Sequence, residues 1–205
     1  MSRSNINYEK KRDELARNIF NIFMEDGYEN TTLSLIIKKL GISKGAFYHY
    51  FSTKEACADA AVALFAEDCF QKVEVQIEEN ASVEVKFQRL IVACSELFHT
   101  NEHSMENINT ASNAIFHQKL MASFVIVLAP LYEKVITQGV EEKIFKVEFP
   151  LETAQMILTL TNFYFDADLF GWQPQNMPVK INAFMEFITN ALNARTDFFS
   201  FLTVN

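Results

Sequence analysis

The sequence predicts an all-α protein, and three observations carry that reading. Only five Gly and four Pro interrupt 205 residues. Apolar side chains recur at helical spacing along most of the chain, and the alternation expected of strands is scarce. With 49% hydrophobic and 13% aromatic residues, a chain of this length can bury roughly 70% of the surface it exposes when unfolded, which excludes disorder.

Each element has its own signals. Leu15, Ile19, Ile22 and Phe23 form one stripe of a first helix from about Tyr8 to Glu25, ended by Asp26-Gly27. Thr32 caps a second helix in which Leu33, Ile36, Ile37 and Leu40 share a face, and Gly41 stops it in a left-handed conformation. Ser43 caps a third, Lys44 to Tyr50, with Ala46, Phe47 and Tyr50 expected inward. Ser52 and Glu55 form a capping box for a fourth, expected from Lys54 to Glu79. Further helices are expected over Val83 to Phe98, Ala114 to Gly139, Leu151 to Phe170 and Val179 to Phe201, with a poorly marked stretch from Met105 to Asn113.

Charge divides the chain. Residues 1–56 carry nine Lys/Arg against seven Asp/Glu; residues 57–205 carry nine against nineteen. Only the N-terminal quarter can comfortably approach a polyanion. Four of the twenty Phe fall within residues 1–54, so a small polar module precedes a larger, oily one. The longest stretches free of Asp, Glu, Lys and Arg, Leu120 to Tyr132 and Thr153 to Phe165, are short for a spanning helix, and Met1 to Asn7 lacks a signal-peptide core. The expectation is a cytoplasmic protein with no membrane partner. Cys57 and Cys69, twelve residues apart on one helix, are separated by about 18 Å and cannot pair; with Cys94 they are expected to be buried small hydrophobes.

The second and third helices, joined by Gly41-Ile42-Ser43, make a helix-turn-helix over about residues 33–52. In such a motif the first helix props the second so that its exposed side chains enter a DNA major groove. Lys44 supplies charge, Gly45 allows close backbone approach, Tyr48 offers a phenol to phosphate, and His49 donates to phosphate or a base edge. Thr32 and Lys54 stand where helix N-termini present free N–H groups to phosphate. Lys10-Lys11-Arg12 reads as a solvated face, and Arg3 as a weak minor-groove candidate on a loose arm.

The string Thr31-Thr32-Leu33, Ile36, Gly41-Ile42-Ser43-Lys44-Gly45-Ala46-Phe47-Tyr48-His49-Tyr50-Phe51 and Lys54-Glu55 resembles the DNA-binding signature of the tetracycline-repressor (TetR) family, over about residues 8 to 60. Gly139-Val140, Phe145, Pro150 and Ala154 are similar to a helix junction in some members. Ile37 and Leu40 stand where alanines are usual, and Leu35 where a polar residue is usual. The resemblance implies DNA contacts from Thr32, Ser43, Lys44, Gly45, Ala46, Tyr48, His49 and Lys54. It implies a DNA-binding domain over 1–56, an effector and dimerisation domain over 57–205, a homodimer, a dyad-symmetric operator and a small-molecule effector. Phe98, Met105, Phe116, His117, Met121, Phe124 and Phe163 are the candidate lining of an apolar, aromatic-rich effector pocket; no cofactor, metal or catalytic residue is expected. The dimer is expected through Met156, Leu160, Phe163, Phe184, Phe187, Ile188 and Leu192 of the last two long helices, together with apolar surface from Phe198, Phe199 and Phe201.

Two other readings compete. His99, Glu102 and His103 match H-x-x-E-H, a metal-hydrolase pattern that needs mid-helix placement and a third ligand, whereas here it follows an apolar run as a helix end does. A helical small-molecule carrier that has lost DNA binding is the other.

Overall fold

The computed structural model describes residues 3–100 and 107–202. Among these, the helices are α1 (Arg3–Asp26), α2 (Leu33–Leu40), α3 (Lys44–Tyr50), α4 (Lys54–Glu74), α5 (Val83–Thr100), α6 (Ala114–Glu141), α7 (Pro150–Tyr164), α8 (Ala167–Phe170) and α9 (Met177–Leu192), with short 3-10 turns at Ala111–Asn113, Pro174–Asn176 and Ser200–Leu202. The described residues contain no strand. The chain forms two compact units, Met1–Cys69 with Leu97–Ser123, and Phe70–Glu96 with Phe124–Asn205. The first takes in the 1–56 segment and adds α4 as far as Cys69 and a stretch around the beginning of α6.

The first unit is built on α1. Leu15, Ala16, Ile19, Phe20 and Phe23 are buried with Ile36 of α2, Phe47 of α3 and Cys57, Ala58 and Ala61 of α4. Phe20 stacks on Phe65 at 4.3 Å, and Phe116 tilts against Phe20 at 5.4 Å and Phe23 at 5.1 Å. Arg17 makes a two-pronged pair with Asp68, both bonds 3.0 Å long. Lys119 pairs with Asp59.

In the second unit the core runs through Val83, Phe87 and Leu90 of α5, Leu128, Tyr132 and Ile136 of α6, Ala154, Ile157 and Leu158 of α7, and Phe184, Ile188 and Leu192 of α9. Phe87 sits at its centre, edge-on to Tyr132, Phe145, Phe198 and Phe199. Gly139 leaves room for Phe145: a Cβ at Gly139 would enter the Phe145 ring. Gly139→Ala is therefore expected to cost about 1–3 kcal/mol of stability through overpacking, read as a lowered urea midpoint; an unchanged midpoint would contradict this packing. By length and composition α6 could cross a membrane, but Leu120, Phe124, Leu128, Leu131, Tyr132, Val135 and Ile136 on it are buried in protein, which marks a core helix.

Several boundaries differ from expectation, each for a local reason. α1 begins at Arg3, so that residue opens a helix rather than lying on a loose arm. α4 stops at Glu74, five residues before Glu79: Val73 is its last buried residue, Val75 is exposed, and Glu74, Glu78 and Glu79 would oppose the negative end of a longer helix dipole. Its cap is Thr53 rather than Ser52, since the Ala56 N–H donates to Thr53 Oγ1 at 3.0 Å. The helix expected through Phe170 breaks after Tyr164, because Asp166 turns its carboxylate to accept from the Leu169 N–H at 3.0 Å and so starts α8. The last long helix ends at Leu192 with Asn193 left-handed at φ 49°, a conformation asparagine tolerates. Phe198 and Phe199 then fold back into the core, which removes them from the surface expected to bind a partner.

Candidate nucleic-acid interface

The helix-turn-helix is fixed by backbone-capping bonds at three successive corners. Thr32 Oγ1 accepts from the Leu35 N–H at 3.2 Å, Gly41 turns left-handed at φ 65°, and Ser43 Oγ accepts from the Ala46 N–H at 3.1 Å. α3 is anchored by one fully buried side chain, Phe47. Tyr50 is half-buried, stacked on Tyr8 of α1 at 5.0 Å, and Tyr8 Oη donates to the His49 carbonyl at 3.3 Å. Ala46, expected inward, is exposed, because the residue before the anchor is rotated about 100° around a helix axis. The outer face of α3 thus presents Lys44, Gly45, Ala46, Tyr48 and His49 together, beside the exposed Ser43 cap.

Charge on this module is sorted. Lys39 is held by Asp26 at 2.7 Å and Glu25 at 3.3 Å, Lys11 by Glu14 at 2.8 Å, and Arg17 by Asp68. Lys44 and Lys54 instead lie on aromatic faces, with Lys44 Nζ 5.9 Å from the centre of the Tyr48 ring and Lys54 Nζ 4.1 Å from that of Tyr28. An aromatic face orients an ammonium without cancelling its charge. Tyr28 and Tyr8 were not among the candidate residues, because both act through contacts distant in sequence.

Gly45 carries a second indication. It sits inside α3, and nothing within 4 Å would meet a Cβ there. Glycine inside a helix costs about 1 kcal/mol relative to alanine, and nothing in the fold requires it. Gly45→Ala is expected to raise stability by about 0.5–1 kcal/mol while weakening DNA binding; thermal melting and fluorescence anisotropy on DNA check the two signs, and a variant that gains both would refute the reading of Gly45 as an approach point.

The effector candidates are dispersed. Phe116 is core of the first unit, where His117 and Met121 are half-buried; Phe124 is buried in the second unit, and Phe163 is exposed on α7. Met105, Glu102 and His103 lie outside the described residues, as do the side chains of Phe98 and His99. Among the described residues no three His, Cys, Asp or Glu side chains cluster as a metal site would need. Burial pushes the Cys57 thiol up to about 12 and the Cys94 thiol up to about 11, so neither is the thiolate an oxidant sensor requires.

A three-helix motif with a capped, basic and aromatic recognition face, ahead of an acidic helical unit, defines a helix-turn-helix DNA-binding regulator. Comparison with known proteins gives the family. Residues 18–61 match the model of bacterial regulatory proteins of the tetR family, and residues 96–187 match the tetracyclin repressor-like C-terminal domain. This chain belongs to the tetracycline-repressor family of transcriptional regulators. It is 37% identical over 82 residues to the HTH-type transcriptional repressor AcnR of Corynebacterium diphtheriae, a match spanning 40% of this chain and 41% of that one. Its fold is similar to that of the fatty acid degradation regulator FadR from Bacillus halodurans, with a TM-score of 0.62 and 20% identity, covering 90% of this chain and 97% of that one. It is also similar to FadR from Bacillus subtilis in complex with stearoyl-CoA, with a TM-score of 0.58 and 18% identity, covering 89% and 98%.

Proposed function

We propose that the chain is a homodimeric, cytoplasmic repressor that binds a palindromic operator through α3 and is released from it by a small apolar effector. The observation that carries the DNA-binding part is the shared exposure of Lys44, Gly45, Ala46, Tyr48 and His49 on the side of α3 away from Phe47. Tyr48 and His49 reach phosphate and base edges, Lys44 adds charge close to the bases, and Thr32, Ser43 and Lys54 hold the backbone at helix starts.

Dimerisation is supported by apolar side chains that the monomer leaves uncovered. On α7, Met156 and Phe163 are 58% and 59% exposed, and on α9 Phe187 is 53% exposed; Leu160 is exposed as well, whereas Phe184, Ile188 and Leu192 serve the chain's own core. Exposed large apolar side chains gathered on two helices mark an interface, and an isologous one places two α3 helices in dyad relation. Sedimentation is expected to give a dimer at micromolar concentration, and Phe163→Glu with Phe187→Glu a monomer; a wild-type monomer would remove this part of the reading.

The effector is apolar because the acidic second part of the chain, with nineteen Asp/Glu against nine Lys/Arg over residues 57–205, disfavours a polyanion. Phe116 packs in the core of the first unit and Phe163 lies exposed on α7, so neither is kept as a lining residue.

Selection of duplexes from a random pool at physiological salt tests the whole reading. The expected product has inverted half-sites centred about 34–36 Å apart or a multiple of that. Recovery of no preferred sequence would overturn it.

A further inference from the structure

A segment outside the helix-turn-helix grips the turn between α1 and α2. Residues 107–113 fall in the region matched by the C-terminal family model, yet they belong to the compact unit that holds α1, α2 and α3. Asn113 is fully buried. Its Oδ1 accepts from the Tyr28 N–H at 2.7 Å, and its Nδ2 donates to the Asn107 carbonyl at 3.0 Å, so both ends of the amide are engaged. Beside it the Glu29 N–H donates to the Ser112 carbonyl at 2.8 Å. Gly27 completes the seat, since a Cβ there would run into the Ser112 hydroxyl.

The gripped turn adjoins two of the groups assigned to phosphate, supporting Lys54 of α4 and leading into Thr32. The Tyr28 ring supports the Lys54 ammonium at 4.1 Å. Thr31 Oγ1 donates to the Gly27 carbonyl at 2.7 Å, and Thr32 follows directly as the cap of α2. A shift of the turn therefore moves the rest on which Lys54 lies and the N-terminus of α2 together, while α3 keeps its own anchor at Phe47.

We propose that Asn113 is a positioning residue for DNA: by fixing the turn 27–32 it places Lys54 and Thr32 against phosphate, so that operator affinity is set in part from outside the helix-turn-helix. This rests on the DNA-binding reading above.

The test uses the full-length protein and a duplex selected against the wild type, titrated over a range of salt. Asn113→Ala is expected to lose about tenfold in affinity and to reduce the salt slope by about 1, the signature of one lost phosphate contact, with the preferred sequence unchanged. In a Lys54→Ala background the same substitution should leave the slope where Lys54→Ala alone puts it. A loss of affinity with the slope unchanged, or an equal further change of slope in the Lys54→Ala background, would show Asn113 to be structural only and overturn the proposal. Amide exchange in the wild type gives a reading that needs no variant: operator should slow exchange at Tyr28 and Glu29, and unchanged exchange there overturns the proposal too. If the wild type itself selects no duplex, the DNA-binding reading fails and takes this inference with it; if it selects one and Asn113→Ala binds it equally, only this inference fails.

Discussion

Phe87→Ala is expected to remove about 3–5 kcal/mol of stability, the range for truncating a buried aromatic. Phe87 is almost completely buried and meets Tyr132, Phe145, Phe198 and Phe199 edge-on, with ring centres 5.5 to 6.1 Å away. Truncation creates a cavity and also deprives four rings of their shared neighbour, each such aromatic pair being worth about 0.5–1.5 kcal/mol beyond its burial. Against a usual total of about 5–15 kcal/mol for a domain, that is enough to bring the unit near its threshold. Calorimetry should show a large fall in melting temperature, and limited proteolysis should cut first near Phe198 and Phe199, both of which pack edge-on to Phe87. A loss below about 1 kcal/mol would mean that the four rings close over the gap.

Operator DNA is expected to weaken effector binding about a hundredfold, and the effector to weaken operator binding by the same factor. A ligand shifts affinity at a distant site only by binding two states of the protein unequally. A hundredfold effect corresponds to about 2.7 kcal/mol of preference, within the usual span of allosteric coupling. α4 suits such a shift. It contributes residues to both units, and its buried face includes the small side chains Ala58, Ala60, Ala61 and Ala66, so that a shift has to strain chiefly the Phe65 stack on Phe20 and the Arg17–Asp68 pair. The experiment is a calorimetric screen of neutral aromatic and long-chain compounds, followed by titration of the binder with and without a selected operator duplex. Equal affinities in the two arms would eliminate the mechanism even if both ligands bind well.

What could be read from the sequence was what is decided within a few residues. Thr32, Gly41 and Ser43 cap and stop helices through bonds to neighbours three residues away, and the bounds of α2 and α3 follow from them. The all-α class and the recognition face followed equally from spacing and from a contiguous motif. Features decided by distant partners were hidden. Ala46 and Phe47 are adjacent and both apolar, and only the packing of α3 within its unit decides which is covered. Phe116 has the composition of a pocket residue but is taken by Phe20, Phe23 and Tyr28. The return of Phe198 and Phe199 to the core depends on a left-handed Asn193 that no helical periodicity signals. Tyr28 as a rest for Lys54 joins residues 26 positions apart.

The grip of residues 107–113 on the turn at Gly27 bears on how such proteins can be recombined. A chimaera joined after residue 56 would carry α1, α2 and α3 intact but leave behind Ser112 and Asn113, stranding the Tyr28 and Glu29 amides that they accept from. Its reading head would keep its sequence preference and lose grip on the backbone, so a graft of this kind would look like a weak promoter switch rather than a misdirected one. Transplanting 107–123 along with the head, as a discontinuous cassette, would carry Ser112 and Asn113 with the turn they hold but would still leave behind residues 57–69, which supply Cys57, Ala58 and Ala61 to the core of the unit. For this regulator the inheritable module is therefore a spatial one, stitched from separated stretches of chain, and a cut drawn along the sequence passes through it.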